Sequence, residues 1–349
     1  MYNTSIDQSN MFKSISEFSE HIANSFDYFK HNSSINSDAS NDINSILILG
    51  MGGSAITGLL FREILSNKLD IPTSVNQGYT IPKWVNNNTL VIACSYSGNT
   101  EETLFGLEKC KSKTSKIIGL TTGGKLYEFI QKFNFNYVLM PKGLQPRAAL
   151  GYSFTLMLLM LNKIGFIDEK TIIDLKNNIN ELVKFSNIFS KNNNENLAFS
   201  LAEKIYDKNP IIYSEDGIFG IIGYRFKCQL VENSKILAFN NIIPEMNHNE
   251  IEAYTKDVNN NNNFIILWIN NENYHSRNKK RIEVVKKIFS TKIKDQIEIN
   301  LNLEKIKNPI VQYLVYINLL DWISYHAAIL KNIDPSIIPN INELKKSLQ

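Results

Sequence analysis

Cysteine is scarce in this chain of 349 residues: Cys94, Cys110 and Cys228 are all there is, with no CxxC pair and no metal-ligand spacing. That excludes a disulfide scaffold and a zinc framework, and an odd, sparse set reads as reduced intracellular thiols. A charge excess is missing too. The 37 basic and 34 acidic residues leave a net charge of +3, with no basic arm or stripe to suit nucleic acid. No run approaches the roughly 18 apolar residues of a membrane helix. The opening MYNTSIDQSNMFKSISEF is polar from the start and has no apolar core of a secretory signal, so a cytoplasmic protein is expected. The five histidines are scattered, so no clustered His and acid set for a metal is expected. What the chain does have, 43% hydrophobic and 20% charged residues, is enough for two domains with separate cores.

Periodicity orders that material. Phe12, Ile15, Phe18, Ile22 and Phe26 predict one amphipathic helix over 10–30, and His31 to Ser45 predicts a surface connection. Strands are expected at 45–49, 72–76, 90–93, 116–120 and 137–140, those at 45–49 and 90–93 buried, alternating with helices, the last of which is very apolar from about Ala148 to Ile164. This alternation predicts a doubly wound parallel sheet, with ligands at the carboxyl ends of its strands. Residues 165–207 read as a helical connection. A second, smaller β/α set follows, with strands at 210–214, 236–239 and 264–268 and a helix over about 221–234. Amphipathic helix 308–330 and a last helix 342–348 close the chain, split by Asp334-Pro335. The expected division is 1–164, 165–207 and 208–349. Asparagine tracts at Asn192–Asn194 and Asn259–Asn263 read as drift in loops.

The chemistry concentrates at Ser95-Tyr96-Ser97-Gly98-Asn99-Thr100, between a β-rich run and a helix. Orphan N–H groups and the positive end of the helix dipole converge on such a turn. Ser95, Ser97 and Thr100 add hydroxyl donors, and Gly98 allows a tight backbone. Glu101 and Glu102 suit a helix first turn, so they mark the helix. No lysine stands in the loop, which argues against a P-loop nucleotide site and for a small phosphorylated metabolite. Alone, the turn is equally well a hydroxyl-rich helix cap. The second Gly-rich turn, Gly50-Met51-Gly52-Gly53-Ser54-Ala55, lacks the G-x-G-x-x-G spacing of a dinucleotide site.

As a pair, the two turns resemble the sugar-phosphate isomerase (SIS) domain. Downstream come Pro146-Arg147-Ala148-Ala149-Leu150-Gly151, Leu230-Val231-Glu232-Asn233-Ser234-Lys235, Pro244-Glu245-Met246-Asn247-His248-Asn249-Glu250 and Asp334-Pro335 with Glu343-Leu344-Lys345. Six stretches in this order, over residues 45 to 349, resemble the bifunctional phosphoglucose/phosphomannose isomerase family. The resemblance implies an α/β fold of two SIS-type, flavodoxin-like domains with additional terminal helices. It also implies a homodimer, no cofactor or metal, and isomerisation of an aldose 6-phosphate to fructose 6-phosphate. Gly52, Gly53, Ser54, Ser95, Ser97 and Thr100 would hold the phosphate. Glu232 would be the base, His248 the ring-opening residue, shared across the subunit interface, Arg147 the enediolate's cation and Lys345 the site's C-terminal lysine. Where the family pattern often has threonine after Asp-Pro, this chain has Ser336.

These roles make chemical sense. A carboxylate that takes a proton and returns it moves hydrogen between C2 and C1 through a cis-enediol. An arginine meets the developing negative charge without risk of losing its own, and ring opening near neutral pH suits histidine. Arg225, Gln229 and Glu232 share a helix face that would line a polar cleft. Two alternatives stand beside this reading: a sugar-phosphate-binding SIS protein without catalysis, and a SIS isomerase for another sugar phosphate. The first could dispense with Glu232, His248 and Lys345, all of which are present.

Overall fold

The first apolar segment forms two helices, α1 (Met11–Ser16) and α2 (Phe18–His31), where one was expected. Both belong to a computed structural model that describes residues 2–36, 42–255 and 263–348. It divides into two units, one of Glu17–Asn180 and one of Met1–Ser16 with Glu181–Gln349. The break between α1 and α2 has a packing reason. The Asp7 carboxylate accepts from Met11 N at 2.7 Å and Phe12 N at 2.8 Å, starting α1, and Phe12 packs edge-on against Trp322 and Tyr325. Tyr2 donates to His326 Nδ1 at 2.6 Å. Residues 1–16 therefore group with the C-terminal half, whereas the sequence placed them in a 1–164 segment. α2 has its contacts elsewhere: a Cβ on Gly151 would come within 2.9 Å of Phe18 O and of His21 Cβ.

In the unit Glu17–Asn180, Ser33–Ser34 is β1, a short strand inside the expected surface connection. Then come β2 (Ser45–Leu49), α3 (Gly52–Ser66), β3 (Thr73–Asn76), β4 (Thr89–Ser95), α4 (Glu101–Lys111) and β5 (Ile117–Thr121). Next are α5 (Gly124–Lys132), β6 (Asn136–Leu139), α6 (Leu150–Lys163) and α7 (Glu169–Asn177). Every residue of β2, β4 and β5 is buried, as expected of parallel strands covered on both faces. The six-stranded sheet runs β1-β6-β5-β4-β2-β3, parallel except for β1 against β6. Its first long strand, β2, lies between the next two, β3 and β4. That reversal is a switch point, and the turns after β2 and β4 open beside it.

The other unit contains α8 (Ile179–Phe189), which crosses the division in its first turn, and α9 (Leu197–Ile205). β7 (Asn209–Glu215), α10 (Ile218–Ser234), β8 (Phe239–Ile243), β9 (Phe264–Ile269), α11 (Ser276–Phe289) and β10 (Gln296–Ile299) follow. The parallel sheet β10-β9-β7-β8 repeats the winding of the first with fewer strands. Strand β8 starts at Phe239 instead of Ile236, because Lys235 takes the left-handed conformation that ends α10 and Ile236 N still bonds back to Leu230 O.

α12 (Pro309–Leu330) is not the amphipathic helix expected over 308–330. From Ile310 to Ile329 all but Tyr313 are buried, wrapped by α1, α9 and α10. Its buried carboxylate is matched, with Asp321 accepting from Arg225 at 2.5 and 2.9 Å and from Gln229 at 2.6 Å. Arg225 and Gln229 thus seal a helix–helix seam and do not line a cleft. α13 (Pro339–Ser347) ends the described chain. Among the described residues no helix is long and apolar enough to cross a membrane. Of the two asparagine tracts, residues 259–262 lie outside the described residues.

Candidate active site

Both Gly/Ser turns lie in the unit Glu17–Asn180, and they touch. Strand β2 runs into Gly50, where a Cβ would stand 3.2 Å from Cys94 O on β4. The chain then enters α3 through Gly52 at φ +53°, so Gly52, Gly53 and Ser54 form the helix's first turn. Ser54 N donates to Met51 O at 3.1 Å, and the N–H groups of Gly52 and Gly53 come before any intrahelical acceptor. Ser54 Oγ accepts from Tyr96 N at 3.3 Å, stitching this turn to the next. Across it lies Arg147, in the short 3-10 turn Pro146–Ala148. A Cβ on Gly53 would meet Pro146 O at 3.0 Å and Arg147 Cα at 3.7 Å.

The turn after β4 is held by its own hydroxyls. Ser95 Oγ and Thr100 Oγ1 are 2.8 Å apart, Gly98 N donates to Ser95 Oγ at 3.1 Å, and Asn99 N donates to Ser97 Oγ at 3.2 Å. Thr100 is the N-cap residue of α4, but its side chain serves the turn and not the cap. Gly98 is required here: φ is +70°, and a Cβ would lie 1.8 Å from Gly123 O. Asn99 Oδ1 accepts from Lys125 N, so the turn after β5 braces this one. Two helix starts and a set of hydroxyls therefore gather beside one switch point, next to the turn that carries Arg147, a residue only 6% exposed. That combination suits an oxyanion. Cys94 is no nucleophile there, because burial pushes its thiol up to about 12.

Glu232, His248 and Lys345 lie in the other unit. Glu232 is half-buried in the last turn of α10. Lys235 Nζ donates to Glu232 O at 2.5 Å and to Ile337 O at 2.6 Å, which ties the end of α10 to the segment entering α13. Lys345 is exposed on α13. His248 is exposed at the end of the 3-10 turn Glu245–His248. Its neighbour Glu250 anchors that stretch to the sheet, accepting from Tyr213 Oη and Asn241 Nδ2, each at 2.5 Å. Seven of the ten expected site residues thus share one unit, Arg147 among them. The sequence reading passed over Tyr96, which bonds both to the first turn and, through its hydroxyl, to the loop before Arg147. Its place within the Ser/Thr turn was the available signal. Among the described residues no group of three His, Cys, Asp or Glu side chains is placed to hold a metal ion.

Comparison with known proteins follows this geometry. Residues 41–163 match the SIS domain family, and residues 194–348 match the bacterial phospho-glucose isomerase C-terminal SIS domain. The bifunctional phosphoglucose/phosphomannose isomerase of Caldicellulosiruptor bescii is 39% identical over 97% of this chain and 98% of that protein. Its counterpart from Thermoplasma acidophilum is 34% identical over 95% of this chain and 97% of its own. Among solved structures, the C-terminal domain of glucosamine-fructose-6-phosphate aminotransferase from Francisella tularensis superposes with a TM-score of 0.71. It covers 94% of this chain and 98% of its own at 16% identity, a likeness of fold alone.

Proposed function

The chain belongs to the bifunctional phosphoglucose/phosphomannose isomerase family, and we propose that it interconverts glucose 6-phosphate and mannose 6-phosphate with fructose 6-phosphate without a metal. It is a sugar-phosphate aldose–ketose isomerase, an intramolecular oxidoreductase made of two SIS domains. The observation that carries the proposal is the oxyanion cradle: the turns Gly52–Ser54 and Ser95–Thr100, joined by the Tyr96 N to Ser54 Oγ bond, with buried Arg147 alongside. The substrate phosphate sits on the N–H and hydroxyl groups of Gly52, Gly53, Ser54, Ser95, Ser97 and Thr100.

Proton transfer follows from the remaining residues. His248 exchanges the protons that open the sugar ring. Glu232 removes the proton at C2 of the aldose and returns it to C1, while one proton leaves the O2 hydroxyl and one arrives at O1, so that the C1 aldehyde becomes an alcohol and C2 a ketone. Arg147 holds its charge against the enediolate that forms between these steps. Lys345 adds a cation at the sugar end of the site. The active form is a homodimer in which His248 serves the neighbouring subunit, and the three free thiols fit a cytoplasmic setting.

Purified protein incubated with fructose 6-phosphate in EDTA tests this. Both glucose 6-phosphate and mannose 6-phosphate are expected. Glucose 6-phosphate alone removes the mannose activity from the proposal. Neither product, with fructose 6-phosphate still raising the melting temperature, leaves a sugar-phosphate-binding protein instead.

A further inference from the structure

Tyr96 stands in the middle of the Ser/Thr turn, yet no role in phosphate binding or proton transfer falls to it. Its backbone N donates to Ser54 Oγ at 3.3 Å, within the cradle. Its side chain leaves the cradle altogether. The phenol hydroxyl donates to Pro141 O at 3.0 Å and accepts from Leu144 N at 3.0 Å. Those two partners span the loop that runs from β6 into the 3-10 turn of Arg147. Gly143 inside this loop has φ +101°, and nothing lies within 4 Å of where its Cβ would be. The loop is thus an open, left-handed excursion of the backbone, and Tyr96 Oη clamps it from both sides.

We propose that Tyr96 is a positioning residue that sets Arg147 against the phosphate cradle by fixing the Pro141–Leu144 loop. One residue then couples two functions in register: its backbone belongs to the turn that receives the phosphate, and its hydroxyl fixes the approach of the cation that meets the enediolate. An arginine about an ångström out of place loses much of its hold on a developing charge, while the phosphate, held by backbone and hydroxyl donors, is bound as before. The expected signature is a loss in kcat with phosphate affinity preserved.

Tyr96→Phe keeps the ring and deletes only the hydroxyl. Resting on the isomerase reading above, the experiment measures kcat and KM for fructose 6-phosphate, and binding of inorganic phosphate, in wild type, Tyr96→Phe, Arg147→Lys and the double variant. Tyr96→Phe is expected to lower kcat by about 10- to 100-fold, with phosphate affinity within about twofold. In the Arg147→Lys background it should add little, since a residue acting through Arg147 has nothing left to position. Tyr96→Phe turnover near wild type, or losses that multiply in the double variant, overturns the inference and leaves the isomerase standing. A wild-type protein without turnover overturns both. Should Tyr96→Phe fail to fold, Leu144→Pro removes the N–H donor without touching the tyrosine. It is then held to the same expected loss and the same contradiction.

Discussion

The two sheets are wound alike, each with its first long strand between its second and third, but their switch points are built from opposite chemistry. In the unit Glu17–Asn180 the turns after β2 and β4 offer glycine N–H groups and hydroxyls, with buried Arg147 alongside. In the other, the end of β7 and the turn after it offer Glu215 and Asp216. The Glu215 carboxylate reaches the start of α11, where Oε1 accepts from His275 N at 2.9 Å and from Asn278 Nδ2 at 2.8 Å. The second sheet has filled its own anion position with a side chain. The two sheets therefore share a winding while their turns carry different chemistry, because function lives in the turns and not in the sheet.

The largest stability effect that would sharpen this contrast lies in the second unit. Asp321→Asn leaves the Arg225 guanidinium facing a neutral amide in a sealed seam, and about 3–5 kcal/mol of stability should be lost in urea unfolding. A loss below about 1 kcal/mol contradicts the view of α12 as a buried, charge-matched core helix. Next is Gly98→Ala in the first unit. A Cβ 1.8 Å from Gly123 O at φ +70° forces the turn apart, costing upwards of about 1–3 kcal/mol of strain. Hexose 6-phosphates should then no longer raise the melting temperature, and an unchanged shift would detach the phosphate from this turn.

One buried histidine in each unit predicts matched acid sensitivity. Burial pulls both His21 and His326 down from 6.5 to about 4. Both are neutral in the folded chain, and His326 Nε2 donates to Phe189 O while Nδ1 accepts from Tyr2. The unfolded chain takes up these protons near pH 6.5. Their stability contribution is thus full above pH 6.5 and declines as pH falls toward 4, by about 3 kcal/mol for each. Urea midpoints at pH 7.5 and pH 5 that coincide would contradict it. The smallest effect belongs to Glu215→Gln, at about 1 kcal/mol, with hexose phosphate affinity unchanged. A changed affinity would place the ligand at the wrong switch point.

Legibility in the sequence followed burial. Runs such as Ser45-Ile46-Leu47-Ile48-Leu49 are buried on both faces, so apolar continuity marks them unmistakably. Strand β10, four residues with Gln296, Ile297 and Glu298 left partly or wholly exposed, carries no such mark and went unseen. α12 looked amphipathic because Gln312, Asn318, Asp321 and His326 are polar. Three of them find partners on distant segments, Arg225 for Asp321, Phe189 for His326 and Ile15 for Asn318, and no local pattern reports that. The cradle was legible because its residues sit in contiguous turns. The position of Arg147 beside Gly53 and the grip of Tyr96 are tertiary facts, invisible to spacing.

Glu232→Gln tests the central claim most directly. The substitution keeps the shape of the side chain and removes the carboxylate proposed as the base. Turnover of fructose 6-phosphate should fall by about 10²–10⁴-fold while the substrate still raises the melting temperature through the intact cradle. Turnover near wild type would contradict the account.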